Sequence, residues 1–400
     1  MKKKLERIIL TSKGEKTVFN KIDQNGVKTM IRKRILPMLA GLVFAATTAF
    51  TATNTTQNQG FSLEEGQLNP AYSAPARIDV QGAWDAYISA DFLYWQTMID
   101  DTAYAISSTK TSGSYPPQDG HFIYPKFKWR PGVKVGLGFN FDRDDWNLFF
   151  EWTHMLGRGS GSTARPDTGV LIPQSAFLDE ALPVISKTCS DASMNGRQNY
   201  NTVDMNIGRP YYSGKHLVFK PFIGVRGAWI RNNVTEQYNH LNLTYSYVSN
   251  DVLTVATLTD GDWSKIKAKQ RMWGLGPRVG LDSDWLLGCG CRFFNKTSGS
   301  LLFERTKNSF EHTVSDDIIS DISRYYDDLD NPILSIKASK LNLFRPNINT
   351  VLGLGWGTYF DHHNWHFDIS AAYELNYWFD HLLPKNMYQH GLTVELRLDF

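Results

Sequence analysis

The densest grouping of chemically capable side chains lies at residues 361–368, where Asp361, His362, His363, His366 and Asp368 all belong to zinc-ligating types. His362 and His363 are adjacent in an acidic stretch that reads as a turn, and His366 comes one residue after Trp365, in the strand that follows. Nothing in that arrangement fixes the imidazoles on one coordinating side. Two related turns carry Arg143, Asp144 or Ser283 in comparable places, so an ordinary solvated turn is the expectation. No Gly-x-Ser-x-Gly, His-Glu-x-x-His or Cys-x-x-Cys occurs, and no serine, histidine and acid single themselves out as a catalytic set. Neither enzymatic activity, nor a cofactor, nor a metal is expected.

Cysteine chemistry is equally thin. Cys189, Cys289 and Cys291 are too few for a disulfide framework. Cys289 and Cys291 share one face of a predicted strand and read as apolar thiols. Cys189, in a predicted loop, is the one that could pair with another molecule in an oxidising envelope.

The polar residues with more to say are those that alternate with apolar ones. Lys134, Asn140, Glu151, Lys220, Arg226, Glu374, Asn376, Glu395 and Arg397 each sit opposite the apolar face of a well-patterned strand. On a soluble sheet they would be solvated. In a membrane barrel they would line a water-filled interior and set its ion preference.

The elements that would position them recur. Three segments share one hairpin pattern of alternating strand, short Asp-rich turn, and strand opened by Trp: residues 136–152, 274–293 and 353–370. Val133, Val135, Leu137, Phe139 and Phe141 share a face before the first turn, and Trp146, Leu148, Phe150 and Trp152 share one after it. Both glycines of each Gly-Leu-Gly (136/138, 274/276, 353/355) fall on the opposite face, where they would let a wall bend or admit a neighbouring aromatic. A nucleotide loop is disfavoured, because no helix follows and the third glycine is missing.

The last ten residues show the same alternation. Leu392, Val394, Leu396, Leu398 and Phe400 form one apolar face, and Thr393, Glu395, Arg397 and Asp399 the other. A last strand ending on an aromatic carboxylate is the pattern read by the assembly machinery of bacterial outer-membrane barrels. Other candidate strands are 84–95, 200–209, 217–230, 238–248, 252–258, 265–281, 285–293, 299–306 and 340–360. The fold class expected is all-β: a transmembrane antiparallel β-barrel of roughly 12 strands, an even number within 10–16, with long extracellular loops. Two insertions interrupt it. Residues 157–198 are rich in Gly and Pro. Residues 309–332 place Val314, Ile318, Ile322, Tyr325 and Leu329 at helical spacing among aspartates. Both read as surface loops, the second with a short helix; folding into the pore as a constriction is the alternative.

Bulk properties bound this reading. Mean hydropathy is −0.34 and no long apolar run follows residue 60, which excludes a helical membrane protein and suits strands with one polar face. Aromatic content of 13%, with 12 Trp, fits two interfacial girdles. Arg32-Lys33-Arg34 followed by an apolar run to Phe50, with a small-residue exit at Thr47-Thr48-Ala49, reads as a secretory signal peptide; a membrane anchor is the alternative, for which the run is short. Residues 1–49 are therefore an N-terminal extension and leader, with Met30 a second candidate start. Residues 50–82 read as a flexible periplasmic lead-in and 83–400 as the barrel. Removing the leader leaves 31 basic and 37 acidic residues, a net charge of −6, so the basic precursor gives no reason to expect nucleic acid as a partner.

A series of blocks sharpens the picture: Asp91-Phe-Leu-Tyr-Trp95, Pro131-Gly-Val-Lys-Val-Gly-Leu-Gly138 with Asp145-Trp146, Glu151-Trp-Thr-His154, Pro221 to Trp229, Trp273 to Leu281, and Asp368 to Trp378. In these the chain resembles the Legionella-type pore-forming outer-membrane family and the related major-outer-membrane-protein-like (MOMP-like) proteins of environmental chlamydiae, from about Trp84 to Phe400. The resemblance implies an exported outer-membrane barrel with porin permeability and supplies no catalytic residues. The function expected is passive diffusion of ions and small hydrophilic solutes, with a weak cation preference from the mature charge and the Asp-rich loop. The alternative is a structural or adhesive barrel with a plugged lumen and loops that bind host or envelope. Expected partners are outer-membrane lipid, the barrel-assembly machinery, the permeating solutes and further copies of the chain.

Overall fold

In strand β1 (Ala86–Ile99) Tyr87, Ser89, Asp91, Leu93 and Trp95 are buried, whereas Ile88, Phe92 and Tyr94 are exposed. This inverts a soluble sheet: Ile88, Phe92 and Tyr94 face outward while the polar Ser89 and Asp91 are enclosed. Such a wall is stable only against hydrocarbon. The computed structural model describes residues 76–81, 85–109, 119–141, 144–174, 184–249, 252–322, 334–379 and 385–400. The expected leader and most of the lead-in lie outside the described residues. Contacts divide the chain after Leu68, and every described residue belongs to the second unit.

The strands that follow β1 are β2 (Ala105–Ser108), β3 (His121–Ile123), β4 (Lys126–Asn140), β5 (Asn147–Ala164), β6 (Val170–Pro173), β7 (Val184–Thr188) and β8 (Asp191–Gly208). Next come β9 (Tyr211–Tyr212), β10 (Leu217–Ser249), β11 (Val252–Gly288), β12 (Cys291–Val314), helix α1 (Asp316–Ile322), β13 (Leu334–Phe360), β14 (Trp365–Trp378) and β15 (Met387–Asp399). Ten of them close a ring in chain order: β1, β4, β5, β8, β10, β11, β12, β13, β14 and β15, each antiparallel to the next. β15 pairs back onto β1 from Tyr87↔Asp399 to Ile99↔Met387, so neither strand keeps an open edge. The ring is even-numbered, and β7 and β9, both paired to β10, bring the sheet to 12 strands.

The difference from the segment-by-segment expectation has one cause. Residues 217–230 and 238–248 are a single strand, as are 252–281 with 285–288, because β10 and β11 run for 33 and 37 residues, well past a bilayer. The second hairpin also turns later than expected. Asp282 and Asp284 remain in β11, and the turn falls at Gly288, Cys289 and Gly290, all with positive φ. Cys289 is therefore a turn residue, and Cys291 opens β12.

Short connections at 141–146, 289–290 and 361–364 share one end of the ring with Ala86 and Phe400. The long connections, 100–125, 165–190, 315–333 and 379–386, share the other, the extracellular end of such a barrel. At that end β3, β2 and β6 form a separate three-stranded sheet. Of the helix expected in 309–332, Asp316–Ile322 is described, preceded by strand as far as Val314; residues 323–333 lie outside the described residues.

Candidate functional site: the barrel interior

Charge fills the periplasmic half of the interior. Lys296 donates to Glu395 at 2.9 Å, Arg292 to Asp368 at 2.8 Å, and Arg397 to Asp399 at 3.0 Å. Lys220 reaches Asn147 at 2.5 Å, and Asn147 also donates to Asn140 at 2.8 Å. Asn147, Asp368 and Asp399 are buried at the wall, whereas Lys296, Arg397 and the nearby Asp284 keep 38%, 22% and 34% of their side-chain surface accessible and so form a solvated vestibule.

Halfway up, the charges are enclosed. Lys134 on β4 donates to both oxygens of Glu374 on β14 at 2.9 Å, and Glu374 also accepts from Asn349 at 2.8 Å and Thr393 at 3.0 Å. β1 and β15 stand between β4 and β14 in the ring, so the pair spans the concave face. On the other side Arg226 holds Asp204 through two bonds, 2.7 and 2.6 Å, and Arg278 adds a third at 2.9 Å. Arg226 also donates to Asn347, which in turn donates to Asn376 at 2.7 Å. Pairing of this completeness is what allows charges to be enclosed at all.

Above the charges lies an apolar layer of Leu93, Trp95, Met155, Tyr200, Ala228, Ile230, Met272, Leu302, Trp378 and Met387. Trp95, Tyr200 and Trp378 are at most 1% exposed, which a water-filled bore at this height would not permit. Trp95 donates to Thr393 at 3.1 Å, and Asn376 to the Tyr200 hydroxyl at 2.8 Å, so the layer is tied to the polar tier beneath it. Beyond it Arg345 pairs with Glu304 at 2.8 Å.

The extracellular mouth is filled as well. Tyr104, Leu171, Cys189 and Ile318, from the long connections, pack with Ala192, Met194, Tyr238, Ile266 and Val314 on the inner faces of β8, β10, β11 and β12. The Tyr238 hydroxyl donates to the Tyr104 carbonyl at 2.9 Å. Both insertions, expected as surface loops, thus contribute side chains to a plug. Cys189 is fully buried in it, and burial pushes its thiol up to about 12.

Of the residues singled out by alternation, the structure brings together Lys134, Glu151 and Glu374, with Lys134 3.9 Å from Glu151. Arg226 and Asn376 join through Asn347, while Asn140 and Lys220 join through Asn147. Glu395 and Arg397 stay in the vestibule. Missed were Asp204, Arg278, Lys296 and Trp95, whereas Asp368 was singled out with the histidine cluster. Asp204 had a signal, since Thr202, Asp204 and Asn206 alternate with Val203, Met205 and Ile207. The histidine cluster is divided: His362 and His363 sit in the turn with positive φ, while His366 faces Asp399 at 3.0 Å. No group of three metal-ligating side chains occurs among the described residues. The inward glycines do admit rings in the first hairpin. A Cβ on Gly138 would overlap the Tyr87 ring, and one on Gly136 would lie 2.6 Å from Phe149. At Gly353 the neighbour is instead Ala372, at 2.6 Å.

Residues 79–393 match a family described as Legionella pneumophila major outer membrane protein precursor. The chain belongs to this family. Its place is the cell outer membrane, and the lipid-facing wall described above is the physical counterpart of that assignment. Among solved structures, the outer membrane protein OprG from Pseudomonas aeruginosa is similar at 11% identity, over 79% of this chain and 99% of that chain, with a TM-score of 0.26. The attachment invasion locus protein Ail of Yersinia pestis is similar at 7% identity, over 78% and 99%, with a TM-score of 0.20. The Pseudomonas putida toluene transporter TodX is similar at 9% identity, over 78% and 88%, with a TM-score of 0.23. No curated protein matches the chain.

Proposed function

We propose that this family member is an outer-membrane channel for ions and small hydrophilic solutes, closed in the conformation described here. One observation carries the reading. Paired charges and amides run inside the wall from Asp399 up to Gln198 and Gln389, in a barrel small enough to be filled entirely by apolar side chains. Ionisable groups enclosed within a membrane-spanning segment add little stability and mark ion pathways by default. The apolar layer around Trp95 and Trp378 and the plug around Tyr104 then act as two gates in series. A weak cation preference follows from the mature net charge of −6. Planar-bilayer recording of the refolded chain tests the proposal: discrete openings with a cation-side reversal potential support it, and a membrane that stays silent across voltage and pH sinks it.

The plug supports a second reading, a non-conducting structural or adhesive barrel. Tyr104, Leu171 with Cys189, and Ile318 come from three different connections yet close into one buried cluster. Silent bilayers together with binding of the protein to host cells or envelope components would establish that reading instead.

A further inference from the structure

The outer wall carries a second pattern that permeation does not use. On β5, β10, β11 and β12 the large apolar outward residues Leu156, Trp229, Trp273 and Phe303, toward the extracellular side, are all exposed. In each of these strands the next outward position is an arginine: Arg158, Arg231, Arg271 and Arg305. Strand pairing sets like charges side by side, Arg231↔Arg271, Arg271↔Lys307 and Arg158↔Arg197. Cross-strand like charges on one face are destabilising, so the row does not serve the sheet. None of these cations forms an ion pair with a described residue, whereas the lumenal cations Lys134, Arg226, Arg278 and Lys296 all do. The opposite wall differs at this height: β14, β15 and β1 present Tyr373, His390 and Tyr94.

Interfacial tryptophans mark the headgroup level, so the arginines lie where the phosphates of the outer leaflet lie. We infer that this row is a docking surface for a phosphorylated glycolipid of the lipid A type, the guanidinium forks taking its phosphates and the aromatic step beneath taking its acyl chains. Arginine suits that role because its planar fork binds phosphate through two hydrogen bonds, and fixed positive charge offsets the repulsion between neighbouring anionic headgroups.

The test uses the full chain refolded in zwitterionic micelles and measures binding of a diphosphorylated lipid A, its dephosphorylated form, and inorganic phosphate. Wild type should bind the diphosphorylated lipid at least about tenfold more tightly than the dephosphorylated one, and increasingly weakly as ionic strength rises. Inorganic phosphate should not displace it. R231Q/R271Q/R305Q should lose that preference, and K215Q, in a periplasmic connection, should keep it. Equal binding by the triple variant and wild type, or a wild type indifferent to lipid phosphorylation, would overturn the inference. Full displacement by inorganic phosphate would also overturn it, pointing to a small-anion site. If the glutamine triple fails to fold, R231K/R271K/R305K keeps the charge and should retain the preference; salt-independent binding by wild type would then sink the idea.

Discussion

Lys134 and Glu374 face each other across the interior through two hydrogen bonds of 2.9 Å, although three strand-to-strand steps around the ring separate β4 from β14. The pair ties opposing parts of the wall together and occupies the space a permeating ion would need. Glu374→Ala removes the hydrogen-bonded partner of Lys134 and leaves it the more distant Glu151, at 3.9 Å, and its cross-strand neighbour Asp91. It should lower stability by about 3–5 kcal/mol, read as a shifted denaturant midpoint in lipid. The double variant K134A/E374A should recover part of that loss, because no unpaired charge remains, and should conduct more than wild type. A single and a double variant of equal stability would show that the pair is not coupled.

The apolar layer makes a sharper prediction about conduction. Replacing Trp95 and Trp378 with alanine removes the two largest side chains of the layer. W95A/W378A should raise open probability or unit conductance several-fold in bilayers. If conductance is unchanged while the variant folds, the constriction lies elsewhere.

At the seam, the Phe400 amide donates to the Ala86 carbonyl at 2.9 Å and the Ala86 amide to the Phe400 carbonyl at 3.1 Å, while the Phe400 ring lies 5.8 Å from Trp365. Deleting Phe400 should sharply reduce the folded, heat-modifiable fraction in cells. Phe400→Tyr, which keeps an aromatic end, should not. Equal yields from the deletion and wild type would remove the assembly role assigned to Leu392, Val394, Leu396, Leu398 and Phe400.

Cys189 supplies a probe of the plug. Its thiol is buried and held far above the ordinary thiol range, whereas Cys289 and Cys291 are exposed. Maleimide at neutral pH should label those two and spare Cys189 until the mouth opens or the chain unfolds. Rapid labelling of all three thiols in the folded protein would mean that Tyr104 and its neighbours do not seal the mouth.

What could be read in the sequence was what depends on neighbours along the chain. The alternation in Tyr87–Trp95 and in Gly391–Phe400 is a local property, and the structure puts each parity on one side of the wall. The strand count was harder, because where β10 leaves the membrane is set by its pairing with β11, which continues to Ser249↔Val252. The turn at Gly288–Gly290 had its own signal in two glycines, but Asp282 and Asp284 upstream imitated the other hairpins more closely. Helical spacing from Val314 to Leu329 lost its first part to β12, since pairing with β11 at Ser264↔Val314 satisfies backbone groups that a short isolated helix would leave to water. Closure of the interior was legible only as an alternative, a loop folded into the pore or a plugged lumen, and its residues were not. It depends on which inward side chains meet across the ring, and period-two patterning says nothing about that.

The seam between β1 and β15 also imposes an order of events. Until Asp399 reaches Tyr87, the chain has two unpaired strand edges and nothing in the barrel is closed. Those pairings are the most distant in the chain, the kind that form slowly and leave a folding intermediate prone to aggregation. The barrel therefore closes last at its most distant pairing, and its two strand edges stay open until that seam forms.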